Sequence, residues 1–137
     1  MSRPQRLRFI VLGLLRDGHP KHGYGLMKAS EERTGYRVST AGIYPVLHEM
    51  MGEGLVERVP TPRDHDPRRA PYRITDGGAR AFDEWLVADD ELARGRVEQA
   101  IADRAVFLTE APPHVAWRLL EAWRDRLQAT TARLSRS

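Results

Sequence analysis

The sequence predicts a mainly α fold interrupted by one small β-hairpin and extended at its C-terminus by a helical arm. Three observations lead there. Apolar residues recur twice at helical spacing between Leu7 and Thr34, in segments broken by glycine. From Ser39 to Thr75 the chain then reads as a helix, a Gly52-Glu53-Gly54 break, and two short β-prone runs flanking an arginine-rich loop. After about Glu91 only helical spacing remains.

In order, Leu7, Ile10, Val11, Leu14 and Leu15 step by three and four, predicting a helix over residues 6–17 ended by Gly18. His19-Pro20-Lys21-His22-Gly23 is a turn. A second helix covers residues 24–34, with Leu26, Met27, Ala29 and Ser30 inward, and Gly35 stops it at the left-handed position. Ser39 or Thr40 caps a third helix, whose apolar stripe is Tyr44, Leu47, Met50 and Met51. Pro45 sits comfortably only in a first turn, so this helix either starts later than Thr40 or is kinked there. Strands over residues 55–59 and 72–75 flank a loop, residues 60–71, with four prolines and three arginines, which suits the tip of a hairpin. Thr75 or Asp76 caps a fourth helix with Ala79, Phe82 and Leu86 on one side and Trp85 beside them.

Helices over residues 97–109 and 113–133 follow, separated by Pro112-Pro113. In the last, Leu120, Trp123, Leu127, Thr130 and Leu134 step alternately by three and four, the spacing of a short coiled-coil seam. The expected division is a head over residues 1–90 and a dimerisation arm over residues 91–137.

A chain of 137 residues with 41% apolar and 30% charged content suits one good core, or a small domain with an appended arm. No apolar run approaches a membrane span. The basic N-terminus and the segment 9–15 resemble a signal peptide, but the apolar run is short and Arg16-Asp17 stands where a small-residue cleavage site belongs. The absence of cysteine excludes disulfides, thiolate metal sites and a thiol nucleophile, and fits a reducing cytoplasm. Charge is uneven: residues 1–75 carry 13 Lys/Arg against 8 Asp/Glu, residues 76–137 carry 9 against 11. A basic head on a mildly acidic body suits a polyanion-binding head, although a small protein reaches such an imbalance by chance.

A helix feeding a basic hairpin is the layout of a winged helix-turn-helix. The helix fills a groove of duplex DNA and the hairpin reaches neighbouring phosphates. Arg63, Arg68 and Arg69 on the wing supply guanidinium forks for phosphate, with Arg58 and Arg73 on the strands behind. The bland reading is a mixed-charge loop kept soluble, since Asp64 and Asp66 partly neutralise it. Ser39, Thr40, Ala41 and Gly42 make a slim helix entrance, with hydroxyls for phosphate or base edges, and Tyr44 adds a phenol. A plain N-cap and a core tyrosine are the structural alternatives. Lys21, His22 and Tyr24 open the second helix, where free N–H groups favour an anion.

Enzyme chemistry finds no constellation, and no cofactor is expected. His19 and His22 straddle a proline turn without an acidic third ligand, so no metal site is expected. There is no glycine-rich phosphate loop. Trp85, Trp117 and Trp123 could pack in the core or stack an aromatic ligand. Leu120, Trp123, Leu127 and Leu134 are the candidate dimer seam.

Several ordered blocks resemble the PadR family of bacterial transcriptional regulators. They are Val11-Leu12-Gly13-Leu14-Leu15, Gly18, His22-Gly23-Tyr24, Gly42-Ile43-Tyr44-Pro45-Val46-Leu47, Glu53-Gly54-Leu55-Val56-Glu57 and Tyr72-Arg73-Ile74-Thr75-Asp76-Gly77-Gly78. The resemblance covers residues from about 6 to 86. It implies a winged helix-turn-helix head, a C-terminal dimerisation arm, and repression relieved by a small-molecule effector or stress signal; the expected partner is duplex DNA, a near-palindromic operator bound by a homodimer. Two departures stand out: Gly25 where the family usually has an acid, and His48-Glu49 in place of a usual basic pair. The alternative function is a winged-helix module that holds a protein partner and does not bind DNA.

Overall fold

A computed structural model describes residues 3–60, 62, 69–89 and 96–136. The element order is α1 (Arg3–Leu15), α2 (Gly23–Thr34), α3 (Thr40–Gly52), β1 (Val56–Arg58), β2 (Tyr72–Ile74), α4 (Asp76–Val87), α5 (Val97–Ala105), a 3₁₀ turn (Leu108–Glu110) and α6 (Pro113–Arg136). This is the mainly helical, single-hairpin architecture expected from the sequence. The chain forms two compact units, Met1–Trp85 and Leu86–Ser137.

The first unit is built on the apolar stripes of its helices. Leu7, Ile10, Val11, Leu14 and Leu15 of α1 are buried, as are Leu26 of α2 and Ile43, Val46, Leu47 and Met50 of α3. Phe82 and Trp85 of α4 complete this core, and the Trp85 ring stacks on Phe9 with centroids 4.8 Å apart. α1 begins at Arg3, three residues earlier than expected, because Pro4 falls in the first turn where a missing N–H breaks no helical bond.

Helix ends follow local chemistry. Gly35 adopts φ 73°, a left-handed conformation open to glycine at little cost, and its N–H closes α2 on the Glu31 carbonyl. Buried Ser30 is satisfied by donating to the Tyr36 carbonyl at 2.8 Å, which holds the link into α3. Ser39 is the N-cap of α3, and its hydroxyl accepts from the Gly42 N–H at 3.2 Å.

Two expectations about α3 are corrected. The helix starts at Thr40 and not later, so Pro45 lies in its second turn. Its missing N–H leaves the Ala41 carbonyl without the usual donor. Both residues are on the exposed face, where water can take that place. The buried stripe is Ile43, Val46, Leu47 and Met50, one phase away from the expected one, and Tyr44 faces outward with 41% of its surface exposed.

β1 and β2 are shorter than the expected strands and pair antiparallel, with Glu57 opposite Arg73 and Arg58 opposite Tyr72. Arg73 bonds Glu57 across the pair at 2.7 Å. β2 has a second neighbour: Lys21 and Tyr72 exchange backbone hydrogen bonds of 2.8 Å each way. That bridge pins the start of α2 to the base of the hairpin.

Ion pairs hold the helices in register. Arg16 grips Asp83 of α4 through two 2.9 Å bonds, Lys21 grips Asp17, and Arg8 makes a bidentate pair with Glu53. The Arg8 hydrogen bond and charge hold the Glu53 carboxyl below its ordinary value of 4.5. Burial alone would raise Asp17, but the Lys21 bond, the His19 N–H and the Lys21 charge outweigh it, and Asp17 too is lowered. A depressed carboxylate contributes its full stabilisation above the unfolded value and loses it as pH falls through the folded one. These partners are largely solvated, so the Arg8–Glu53 pair is worth only about 0.5–1 kcal/mol after screening. Glu53→Gln should therefore lower stability modestly in urea melts at about pH 7, and the gap to wild type should close at about pH 2.5. A gap unchanged at both pH values would show that the carboxylate charge is not responsible.

In the second unit, Val97 and Ala100 of α5, Phe107, and Leu119 and Trp123 of α6 are buried. The helix expected to run to residue 109 stops at Ala105 and tightens into the 3₁₀ turn, a common way to end a helix. Arg104 is buried and donates to the Ala100 carbonyl at 2.9 Å.

Candidate nucleic-acid interface

Three separate stretches of the first unit meet at one surface cleft of about 350 Å³. It is lined by His22, Gly23 and Tyr24 from the start of α2, Tyr44 from α3, and Arg69, Ala70 and Tyr72 from the end of the wing and β2. The Lys21–Tyr72 bridge brings α2 to the hairpin, and the outward phase of α3 turns Tyr44 toward both. No single segment of sequence contains this site.

Each contributor has a distinct state. His22 is the N-cap residue of α2 and makes no side-chain cap bond. The first N–H groups of the helix are therefore not taken by their own cap, which favours an anion nearby. Tyr24 is 65% exposed, and Arg69 is exposed at the cleft edge. Tyr72 is buried; its hydroxyl accepts from the Arg58 guanidinium at 2.6 Å, and that cation lies 4.6 Å from the ring centroid. Burial raises the Tyr72 pKa, opposed by the Arg58 charge. The phenol therefore stays neutral.

The sequence-derived residues sort by these positions. His22, Tyr24, Tyr44 and Arg69 come together in the cleft. Thr40 is exposed on the first turn of α3, and Gly42 is half-buried on the same turn; neither lines the cleft. The Ser39 hydroxyl is engaged on its own helix. The Lys21 ammonium is held by Asp17 and its backbone by Tyr72, so Lys21 builds the site. Arg58 and Arg73, read as charge behind the wing, are occupied by Tyr72 and Glu57. Arg63 and Arg68 lie outside the described residues.

Trp85 is packed against Phe9 and Phe82. Trp117 is 68% exposed on α6, whereas Trp123 is buried. An apolar groove of about 640 Å³ runs along the arm, lined by Ile101 and Ala105 of α5 and by Leu120, Trp123 and Leu127 of α6. Leu134 is exposed beyond it. Among the described residues no three His, Asp or Glu are grouped to hold a metal, and no helix is long and apolar enough to cross a membrane.

Sequence reasoning did not single out Tyr72 or Gly23 as site residues. Tyr72 reads as an ordinary strand aromatic. Gly23 stands in the His22-Gly23-Tyr24 block of the family resemblance, and a glycine at a first helical position, where most residues would be better helix formers, is its own signal.

Comparison with known proteins decides the family. The profile of the Transcriptional regulator PadR-like family matches residues 11–84, more than half of the chain. The chain belongs to the PadR-like family. That family is a class of transcriptional regulators, and its match spans α2, α3 and the hairpin that form the cleft. The Transcriptional regulator Rv3488 of Mycobacterium tuberculosis is 42% identical over 62 residues, 45% of this chain and 57% of that protein. The chain spans 30–57% of the length of the curated relatives it matches. Among solved structures, TA0346 of Thermoplasma acidophilum is similar with a TM-score of 0.57 and 25% identity, covering 74% of this chain and 97% of that one. Bacillus subtilis PadR in complex with operator DNA has a TM-score of 0.52 and 25% identity, covering 94% of this chain and 70% of that one.

Proposed function

We propose that this PadR-like protein is a sequence-specific DNA-binding repressor that works in the cytoplasm as a homodimer and has no enzymatic activity. The observation that carries the reading is the convergence of the α2 start, Tyr44 and Arg69 on one cleft of the basic head. The slim, exposed first turn of α3 stands on the same helix as Tyr44. The similar Bacillus subtilis PadR holds operator DNA, which supports the same partner here. In this reading α3 enters the major groove and Thr40 and Tyr44 read base edges. The α2 start and the wing arginines take phosphates. Two such heads would address half-sites about one helical turn apart on a near-palindromic operator.

Arg8, Arg16, Arg37 and Arg73 are tied to carboxylates within the head, which supports a share of the phosphate affinity for the wing. Arg68→Ala with Arg69→Ala should weaken binding similarly on all sequences and flatten the log–log salt slope by roughly one to two units. An unchanged slope in fluorescence anisotropy titrations would remove the wing from the phosphate contacts.

The proposed dimer seam is Leu120, Trp123, Leu127 and Leu134. Leu120 and Leu127 are exposed apolar residues beside a groove, a feature that commonly marks an interface. Leu120→Glu with Leu127→Glu should convert a dimer to a monomer in light scattering, with the head still folded. A mass unchanged from wild type would move the seam elsewhere. Trp117 and Trp123 are the proposed contacts for a small-molecule effector, and quenching of their fluorescence by aromatic compounds is the matching test.

The exposed face of α3 carries His48 and Glu49 rather than fixed positive charge, and this favours a second reading, a head that holds a protein partner. A gel shift on the protein's own upstream region, repeated at raised salt, separates the two. A salt-sensitive shift supports the repressor, and no shift at any salt supports the protein-binding module.

A further inference from the structure

Gly23 occupies the first position of α2 and is buried, although glycine is among the poorest helix formers. Its φ is not positive, so the backbone does not require glycine there. Space does. A Cβ at this position would lie 2.7 Å from both Cε1 and Oη of Tyr44 and 2.8 Å from its Cζ, closer than carbon and oxygen atoms can approach. The Tyr44 phenol therefore rests directly on the bare first turn of α2. That contact shields one side of the ring and leaves 41% of the residue exposed.

We propose that Gly23 is a positioning residue. By leaving the first turn of α2 without a side chain, it gives the Tyr44 ring a seat and sets the direction in which α3 presents that hydroxyl to DNA. The inference rests on the DNA-binding reading above and adds a specificity-setting role to it. A tyrosine on an exposed helix face has free rotation to lose on binding. Holding it in one place beforehand removes that loss and aims the hydroxyl at one base position. The clash falls on the outer end of a side chain and not on backbone, so an alanine at 23 displaces the phenol more readily than it unfolds the helix. The seat also explains why Tyr44 departs from the buried stripe of α3: its partner surface is α2, at the cleft rim.

The test uses the full chain and two duplexes of equal length, one selected from random-sequence DNA by the wild type and one of scrambled sequence. Gly23→Ala should lower the preference for the selected duplex by about tenfold, the scale of one misplaced base contact. Its thermal midpoint should match or exceed that of wild type. In a Tyr44→Ala background the same Gly23→Ala change should lower the preference no further. A fall in preference of equal size with and without Tyr44 would overturn the inference, as would equal losses on both duplexes. Contacts between Gly23 Hα and the Tyr44 ring protons in the NMR spectrum of the free protein check the seat without DNA, and their absence would also overturn it. A wild type that prefers neither duplex would sink the DNA reading itself, and this role with it. Normal wild-type preference with no Gly23 effect would sink this role alone.

Discussion

Gly78→Ala should destabilise the protein by about 3 kcal/mol, lowering the thermal midpoint by roughly 10 °C. Gly78 is buried in the first turn of α4, and a Cβ there would stand 2.1 Å from the Leu55 carbonyl oxygen and 2.8 Å from Cγ1 of Ile74. The carbonyl is backbone and cannot swing away. It is also occupied, because it accepts the Thr75 N–H at 3.1 Å. Thr75 adds a second tie: its hydroxyl donates to the Gly54 carbonyl and accepts the Gly78 N–H at 3.0 Å. The entry to β1, the exit from β2 and the start of α4 are thus joined at one point. Any side chain at Gly78 must prise them apart. Gly77→Ala is the control, since its Cβ would sit 3.4 Å from the Gly54 carbonyl oxygen, close to ordinary contact. That change should alter stability by less than about 1 kcal/mol. Equal effects of the two changes in urea melts would show that the joint at Leu55 is not as close as described.

The second large effect concerns binding. Thr40→Glu should leave the fold intact while reducing operator affinity by about a hundredfold or more. Thr40 is exposed and is the first residue of α3. A carboxylate in the first turn of a helix is favoured by the helix dipole by about 0.3–1 kcal/mol, so the thermal midpoint should hold or rise slightly. The same charge would meet phosphates and acceptor-rich base edges if α3 enters the groove. Stability and binding are thereby pushed in opposite directions by one substitution, which separates a lost contact from a lost fold. Retained operator affinity, within about twofold, would mean that the first turn of α3 does not approach DNA.

How much of this was legible in the sequence depends on the range of the physics involved. Local signals read well. Gly35 ends α2 because a left-handed turn favours glycine, and Ser39 caps α3 because its hydroxyl reaches back to an N–H three residues on. Both facts are written within a few residues of chain. The phase of α3 read less well. Tyr44, Leu47, Met50 and Met51 fit helical spacing, and so do Ile43, Val46, Leu47 and Met50. Only the packing against α1 and α2 decides which set is buried. The first-turn preference of proline points to a later start of α3 or a kink, and the start at Thr40 excludes the first of these. The exposed position of Ala41 and Pro45 lets the second turn accept the proline instead.

The cleft was legible only as separate parts. His22, Tyr24, Tyr44 and Arg69 could be nominated from residue type, but their meeting depends on the one-residue bridge between Lys21 and Tyr72, too short to leave a periodic signal. Gly23 shows the same limit from the other side. What matters there is an absent side chain, and its meaning appears only when the Tyr44 ring is found in the space.

In the proposed complex α3 reads the major groove of duplex DNA. Methylation interference on a selected operator tests it most directly, because N7-methylation of guanine alters the major-groove edge and leaves the phosphates untouched. Methylation should block binding at a few guanines clustered in two half-sites about 10 base pairs apart. Binding indifferent to guanine N7 methylation throughout the operator, with interference only from phosphate ethylation, would contradict it.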